Sequence, residues 1–127
     1  TVVIGRATSE FRRVYESVQA ANERGREAVR GGVPGVEIDR VARAALERDG
    51  LAEYFGHGLG HGVGLQVHES PTLSPKGVRP VPLGAVVTIE PGVYVPGRFG
   101  VRIEDLVVVG DGGCRVLSTA PRDLIEL

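Results

Sequence analysis

The chain has 127 residues, 42% of them hydrophobic, which is enough for one hydrophobic core and short for two domains. Its net charge of −1 gives no electrostatic basis for binding nucleic acid or an anionic membrane. The single cysteine, Cys114, excludes an internal disulfide framework and is expected to be a packed thiol; because no apolar stretch is long enough to span a membrane, we expect a cytoplasmic location.

The first half of the chain predicts a short strand over residues 2–4 and then two helices. The first helix is capped by Thr8 or Ser9 and runs to about residue 30, and the second runs from about residue 37 to residue 49. The charges of the second helix are expected to form a solvated face. Its expected buried residues are Ile38, Val41, Ala42, Ala45 and Leu46. Strands and turns follow, so periodicity predicts an α+β fold with two helices packed on an antiparallel sheet.

All three histidines of the chain lie in one glycine-rich segment, which begins at Gly56. Glycine occupies every second position from Gly56 to Gly64, so an extended strand here would have one bare face that another backbone can approach closely. His57 and His61 would share the opposite face. His68 has the other parity, and it can join them only if the chain bends or bulges after Gly64.

Two glutamates are expected to face each other across a hairpin. Residues 85–90 and 101–109 read as strands, and the cluster around Gly97 reads as the turn between them. A hairpin centred on Gly97 pairs residues whose numbers add to 194, which places Glu90 opposite Glu104. Like charges in such a pair are destabilising unless a proton or a cation lies between them.

The glutamates and histidines together predict a metal site. Imidazole with carboxylates suits zinc, manganese, cobalt or iron better than calcium. The alternative is a glycine-rich bend with surface histidines and two solvated glutamates, and each residue taken alone would favour it. The hairpin register, combined with the histidine cluster, favours the metal site.

These motifs resemble a known family. The patterns are His57-x3-His61-x6-His68-Glu69-x-Pro71, then residues 88–92 (TIEPG), then residues 100–105 (GVRIED). In this combination they resemble the Xaa-Pro aminopeptidases and prolidases of the pita-bread metallopeptidase superfamily. The similarity extends over the whole chain and implies that residues 1–127 are the C-terminal part of a catalytic domain, half of a pita-bread fold. Methionine aminopeptidases share the fold, but they typically have a longer insertion between the two glutamates.

The resemblance also implies roles for individual residues. His61, Glu90 and Glu104 would be metal ligands, with Glu104 bridging two divalent ions of manganese, cobalt or zinc. Glu90 would also take the proton of the attacking water. His68 would hydrogen-bond the substrate near the scissile carbonyl, and Arg102 would orient the bridging carboxylate. His57 would help to shape the pocket for proline.

The family needs five metal ligands, two of which are aspartates on a hairpin that ends in an Asp-x-Thr-Arg-Thr motif. The chain is expected to begin at the final threonine of that motif, Thr1. The remainder of the same enzyme would then supply both aspartates and a separate N-terminal domain, and this chain alone would be inactive.

For the parent enzyme, the resemblance implies hydrolysis of the bond preceding proline in Xaa-Pro dipeptides or at peptide N-termini. The substrate would carry proline at its second position, and the enzyme is expected to be a homodimer. The alternative is a catalytically inactive fragment or pseudopeptidase that acts as a binding module. Retention of the three expected ligands distinguishes the two, because inactive relatives usually lose them.

Overall fold

The computed structural model describes residues 1–127 and contains two α-helices, one turn of 3-10 helix (Ala52–Tyr54) and nine strands. In chain order these are β1 (Val2–Val3), α1 (Ser9–Ala28), α2 (Gly35–Arg48), β2 (Gly60–Gly62), β3 (Glu69–Leu73), β4 (Val86–Ile89), β5 (Gly92–Val95), β6 (Phe99–Arg102), β7 (Asp105–Val109), β8 (Cys114–Val116) and β9 (Ile125–Glu126). The main sheet is antiparallel, in the order β3-β2-β4-β7-β8. Two helices with an antiparallel sheet confirm the predicted α+β architecture.

Helix α1 begins where the sequence predicts. Thr8 is its N-cap, and the Thr8 hydroxyl accepts a hydrogen bond of 3.1 Å from the Phe11 N–H. The helix ends at Ala28, slightly earlier than expected. Its buried stripe includes Phe11, Val14, Val18 and Ala21, which follow the helical period. This stripe packs α1 against α2 and across β4, β5 and β6.

Helix α2 buries a different set of residues from the one predicted. Ile38, Ala42 and Leu46 are fully buried, but Val41 is 41% exposed, so its predicted burial is wrong. Val41 lies beside the buried stripe of the helix rather than within it. Asp39 lies within that stripe and is only 2% exposed, which contradicts the expectation of a wholly solvated charged face.

The two faces of the main sheet have different roles. Alternate residues of β4 and β7, among them Val87, Ile89 and Val107, are buried in the core together with the helix stripes. The residues of opposite parity include Thr88 and Leu106, which line an open groove. The sheet therefore supports the groove on one face and the hydrophobic core on the other.

The two ends of the chain lie together. Strand β1 pairs in parallel with β9, with Val2 opposite Ile125. The Glu126 carboxylate reinforces this pairing, because it accepts from the Ala7 N–H at 2.6 Å and contacts the Arg12 guanidinium. Neither helix combines the length and the apolar character needed to cross a membrane.

Candidate metal centre

The glycines of β2 bring this strand close to its neighbours. A Cβ atom on Gly60 would overlap the carbonyl oxygen of Thr88, and one on Gly62 would overlap that of Ser70. The close backbone approach predicted from the glycine pattern is therefore present, although the two glycines approach different neighbours, β4 and β3. Between these two glycines, His61 is held beside β4, because its N–H donates to the Thr88 hydroxyl at 3.0 Å.

The predicted hairpin register is present, although the hairpin is divided between two sheets. Ile89 pairs with Asp105 in the main sheet, and Gly92 pairs with Arg102 in the separate β5–β6 ribbon; both pairs add to 194. The ladder is interrupted between them, where Glu90 lies.

The pattern of hydrogen bonds defines how the two glutamates pair. The Val109 N–H donates to the Ala85 carbonyl at 2.9 Å, so the odd-numbered positions of β4 form the hydrogen-bonded pairs. Glu90 and Glu104 therefore occupy a non-hydrogen-bonded position, where facing side chains come closest. The Glu90 N–H points instead to the other neighbour, β2, and donates to the Leu59 carbonyl at 2.8 Å.

His61 and Glu90 form the closest contact of the candidate site. Nδ1 of His61 lies 3.0 Å from the Gly62 carbonyl oxygen, which can only accept, so Nδ1 carries a proton. Nε2 of the same ring lies 2.9 Å from Oε1 of Glu90. The Thr88 hydroxyl also donates to this Oε1, at 2.9 Å. A neutral His61 and an ionised Glu90 would thus present two acceptors to each other, and a proton or a metal ion must lie between them.

The donor atoms fit part of a metal centre. Two ligands bound at right angles about 2.1 Å from one ion lie roughly 3 Å apart, which matches the His61–Glu90 separation. A histidine whose Nδ1–H donates to a backbone carbonyl also has the tautomer that metal ligation through Nε2 requires. Glu104 is exposed and lines the same groove. However, no group of three or more His, Cys, Asp or Glu side chains in the chain lies close enough to hold a metal ion.

His68 reaches the same groove because the chain bends from Gly64 onward, as the sequence predicts. The register between β2 and β3 shifts after His61, and the rings of His61 and His68 lie 4.1 Å apart between centroids. His68 is exposed. The groove has a volume of about 510 Å³, and its apolar lining includes the exposed side chains of Leu65 and Val67.

His57 lies outside this groove, in a chain of hydrogen bonds that the sequence did not predict. Its Nδ1 donates to the Gly58 carbonyl at 2.8 Å, so its Nε2 can accept from the Tyr94 hydroxyl at 3.0 Å. The Tyr94 oxygen in turn accepts from Nε of Arg102 at 2.7 Å. The sequence feature that could have indicated this position of Tyr94 is the pair Gly92 and Gly100, where any Cβ atom would crowd the Tyr94 side chain.

Arg102 contacts a different carboxylate from the one expected. Its guanidinium lies 3.7 Å from Oε2 of Glu90, and it forms no ion pair with Glu104, whose orientation it was expected to control. Its Nε also donates to the Tyr94 hydroxyl. Glu90 is therefore contacted by His61, Thr88 and Arg102.

Helix α2 anchors the segment that leads into the histidine strand. Asp39 and Arg43 form a two-point ion pair at 3.1 Å, and the buried Asp39 also accepts from the Leu59 N–H at 3.0 Å. Arg43 donates to the carbonyls of Phe55 and His57, both at 2.9 Å. The sequence does not reveal this anchor, because a charged pair four residues apart on a helix usually lies on the solvated face.

Cys114 takes no part in the groove. Its thiol lies 3.3 Å from the Arg26 carbonyl oxygen, to which it can donate. Burial raises the pKa of the Cys114 thiol, so the thiolate is disfavoured. These contacts fit the predicted packed thiol.

Residues 1–111 match metallopeptidase family M24, and the chain belongs to this family. The Xaa-Pro dipeptidase of Pyrococcus furiosus is 41% identical over 125 residues, which cover 98% of this chain and 36% of that protein. The X-Pro aminopeptidase of Thermotoga maritima has a solved structure that superposes with a TM-score of 0.95 at 43% identity, covering 99% of this chain and 36% of that one.

The prolidase of Thermococcus sibiricus gives the same result, with a TM-score of 0.94 at 44% identity over 99% of this chain and 34% of that one. The two helices and antiparallel sheet therefore match the pita-bread fold of the prolidase structures. The chain spans about a third of the length of these relatives.

Proposed function

We propose that the protein containing this chain is a metal-dependent peptidase that cleaves the peptide bond preceding proline, in Xaa-Pro dipeptides or at peptide N-termini. Membership of family M24 and the Xaa-Pro peptidases among the relatives support this proposal. The observation that carries it is the contact of His61 Nε2 with Glu90 Oε1, because the Nδ1 proton is already committed to Gly62.

In this proposal His61, Glu90 and Glu104 hold divalent metal ions, and the rest of the enzyme supplies two aspartate ligands. Such ions, when bound, act as Lewis acids and lower the pKa of water, which provides a nucleophile near neutral pH. Residues 1–127 form the C-terminal part of the catalytic domain. The homodimer, the cytoplasmic location and the choice among manganese, cobalt and zinc stay predictions.

The residues of this chain have distinct tasks in the reaction. Glu90 takes the proton of the attacking water, and the Thr88 hydroxyl fixes the position of its Oε1. His68 is exposed beside His61 and donates a hydrogen bond to the scissile carbonyl, whose oxygen gains charge in the transition state. Arg102 remains close to Glu90 and limits the carboxylate to orientations that face the groove.

His57 and Tyr94 form a wall beside the site rather than a part of the ligand set. His57 packs edge-on against Phe55, with ring centroids 5.0 Å apart, and its two nitrogens are already bonded. This imidazole is therefore rigid and has no free lone pair for a metal ion. It would select substrates by the shape of their side chain, and we propose that the wall accepts the ring of proline.

The proposal is tested by comparing substrates with the complete enzyme. Leu-Pro should be cleaved at least about tenfold faster than Leu-Ala, because one well-packed apolar contact contributes about that factor. A chelator should abolish both rates, and added Mn²⁺ should restore them. Equal rates for the two dipeptides, or activity that survives chelation, would contradict the proposal. A methionine-initiated peptide cleaved faster than Leu-Pro would assign the protein to the methionine aminopeptidases.

A binding module without activity is the second candidate. It is favoured by the lack of three converging metal-binding side chains within this chain. It would be established if the complete protein bound Leu-Pro in the presence of Mn²⁺ and released it intact. The presence of His61, Glu90 and Glu104 together argues for the peptidase.

A further inference from the structure

A buried asparagine of helix α1 contacts both strands of the hairpin at the residues that precede the two glutamates. Asn22 is 1% exposed, and its Nδ2 lies 3.0 Å from the Ile89 carbonyl oxygen and 3.2 Å from that of Ile103. Glu90 and Glu104 are the next residues of the two strands. One side-chain amide thus joins the strands at the point where the ladder is interrupted.

The orientation of the Asn22 amide is fixed by its third contact. Nε of Arg26 lies 2.9 Å from the Oδ1 atom, and a guanidinium can only donate. The atom that faces Arg26 must therefore be the amide oxygen. Both amide protons are then directed to the two strand carbonyls, and the hydrogen-bonding capacity of the amide nitrogen is fully used.

Pro91 explains why the hairpin needs this donor. Position 91 pairs with position 103, and a regular hydrogen-bonded pair of an antiparallel ladder exchanges two bonds. The Ile103 N–H donates to the Pro91 carbonyl at 3.4 Å, but proline has no N–H to return. The Ile103 carbonyl would lack its strand donor, and the Asn22 amide takes that place. An unsatisfied carbonyl at this buried position would be costly.

The bonds also fix the backbone of the glutamates. The Ile89 carbonyl and the Glu90 N–H belong to one rigid peptide plane. Asn22 holds this plane at the carbonyl, and the Leu59 carbonyl holds it at the N–H, at 2.8 Å. The peptide plane before Glu104 is held at its carbonyl in the same way.

We propose that Asn22 is a positioning residue that sets the separation and direction of Glu90 and Glu104 for metal binding. The inference rests on the proposed function only in taking these two glutamates as ligands. Loss of a group that orients metal ligands typically lowers affinity by about ten- to a hundredfold. The Asn22 variant still contains both glutamates, so the expected effect is on affinity and not on the number of ions bound.

The test compares Asn22→Asp with Val18→Ala in the complete enzyme. The aspartate has nearly the same shape but no amide protons to donate, whereas Val18 is a fully buried residue one turn earlier in α1 and makes no bond to the hairpin. Mn²⁺ affinity is measured by electron paramagnetic resonance of the free ion, and melting temperature is measured in chelator. Should Asn22→Asp yield no folded enzyme, Asn22→Ala carries the same comparison.

We expect the Asn22 variant to bind Mn²⁺ at least about tenfold more weakly than wild type. The Mn²⁺ affinity of Val18→Ala should stay within about twofold of wild type, although both variants should have a lower melting temperature. Wild-type affinity in the Asn22 variant would overturn the proposal. The proposal would also be overturned if both variants lost Mn²⁺ affinity in the same proportion to their loss of melting temperature. Because the readout is metal binding, a wild-type enzyme that binds Mn²⁺ but does not cleave Leu-Pro would refute the proposed function and leave this comparison valid.

Discussion

Nε2 of His61 lies 2.9 Å from Oε1 of Glu90, while Nδ1 of the same ring donates to the Gly62 carbonyl. The pair comes from different parts of the chain, because His61 lies in the glycine strand and Glu90 follows β4. The bond at Nδ1 leaves Nε2 without a proton unless the ring is charged. The contact therefore requires a positive charge between the two atoms, supplied by a proton or by a metal ion.

Replacing Glu104 with Gln should have opposite effects on the metal-loaded and metal-free enzyme. Loss of the proposed bridge should lower metal content and activity together. In chelator the variant should be more stable by roughly 0.2–1 kcal/mol in free energy of unfolding, because the repulsion between two facing carboxylates is removed. Its melting temperature should therefore be slightly higher than that of wild type. Thermal melting with and without chelator measures both effects, with Glu53→Gln at an exposed site as the control. A variant that melts lower in both conditions would show that repulsion is not what the metal neutralises.

His57→Ala and His61→Ala should separate substrate selection from metal binding in the complete enzyme. His57→Ala should narrow the preference for Leu-Pro over Leu-Ala and leave metal content unchanged, because both ring nitrogens are already bonded. His61→Ala should lose metal and activity with either substrate. Metal analysis and initial rates on the two dipeptides provide the measurements. Equal metal loss in both variants would show that His57 is a ligand.

The isolated chain should bind at most one metal ion weakly and should not hydrolyse any dipeptide. The reason is that no three donor side chains converge within it, and the proposed function assigns two further ligands to the rest of the enzyme. Equilibrium dialysis against Mn²⁺ and a rate assay on purified chain test this directly. Turnover of Leu-Pro by this chain, free of any other polypeptide, would contradict the prediction.

Sequence periodicity predicted the parts of the fold that depend on neighbouring residues. The Thr8 cap, both helices and the register through Gly97 are local, and the turn at Gly97 has the positive φ of 71° that glycine adopts easily. The site lies where two such local predictions meet, at His61 and Glu90.

The missed residues depend on distant partners. Asn22 bonds to carbonyls 67 and 81 residues away, and Tyr94 bonds to His57 across 37 residues. Asn22 and Asp39 lie on the buried stripes of their helices, but polar residues on a helix usually face water, so their residue type argued against burial. For Asn22 the sequence offered one signal, Pro91, since a proline within a paired strand leaves a carbonyl that needs another donor.

Acid should weaken the contact between the chain ends. The Ala7 N–H and the Arg12 guanidinium lower the pKa of Glu126 below its ordinary value of about 4.5. A depressed folded-state pKa contributes stability above the unfolded value, and this contribution is lost as pH falls through the folded value. Glu126→Gln should therefore melt lower than wild type at neutral pH, and the difference should vanish on acidification. A difference that grows in acid would contradict the assignment, and Glu16→Gln, at an exposed glutamate, is the control.

Anomalous diffraction from crystals of the complete enzyme grown with Mn²⁺ tests the central claim most directly. We expect anomalous peaks within about 2.0–2.3 Å of His61 Nε2, Glu90 and Glu104, with Glu104 between two ions. His57 should keep its bonds to Gly58 and Tyr94 and have no peak beside it. Peaks that exclude His61 and Glu90, or a peak bound to His57, would contradict the assignment of this groove as the metal centre.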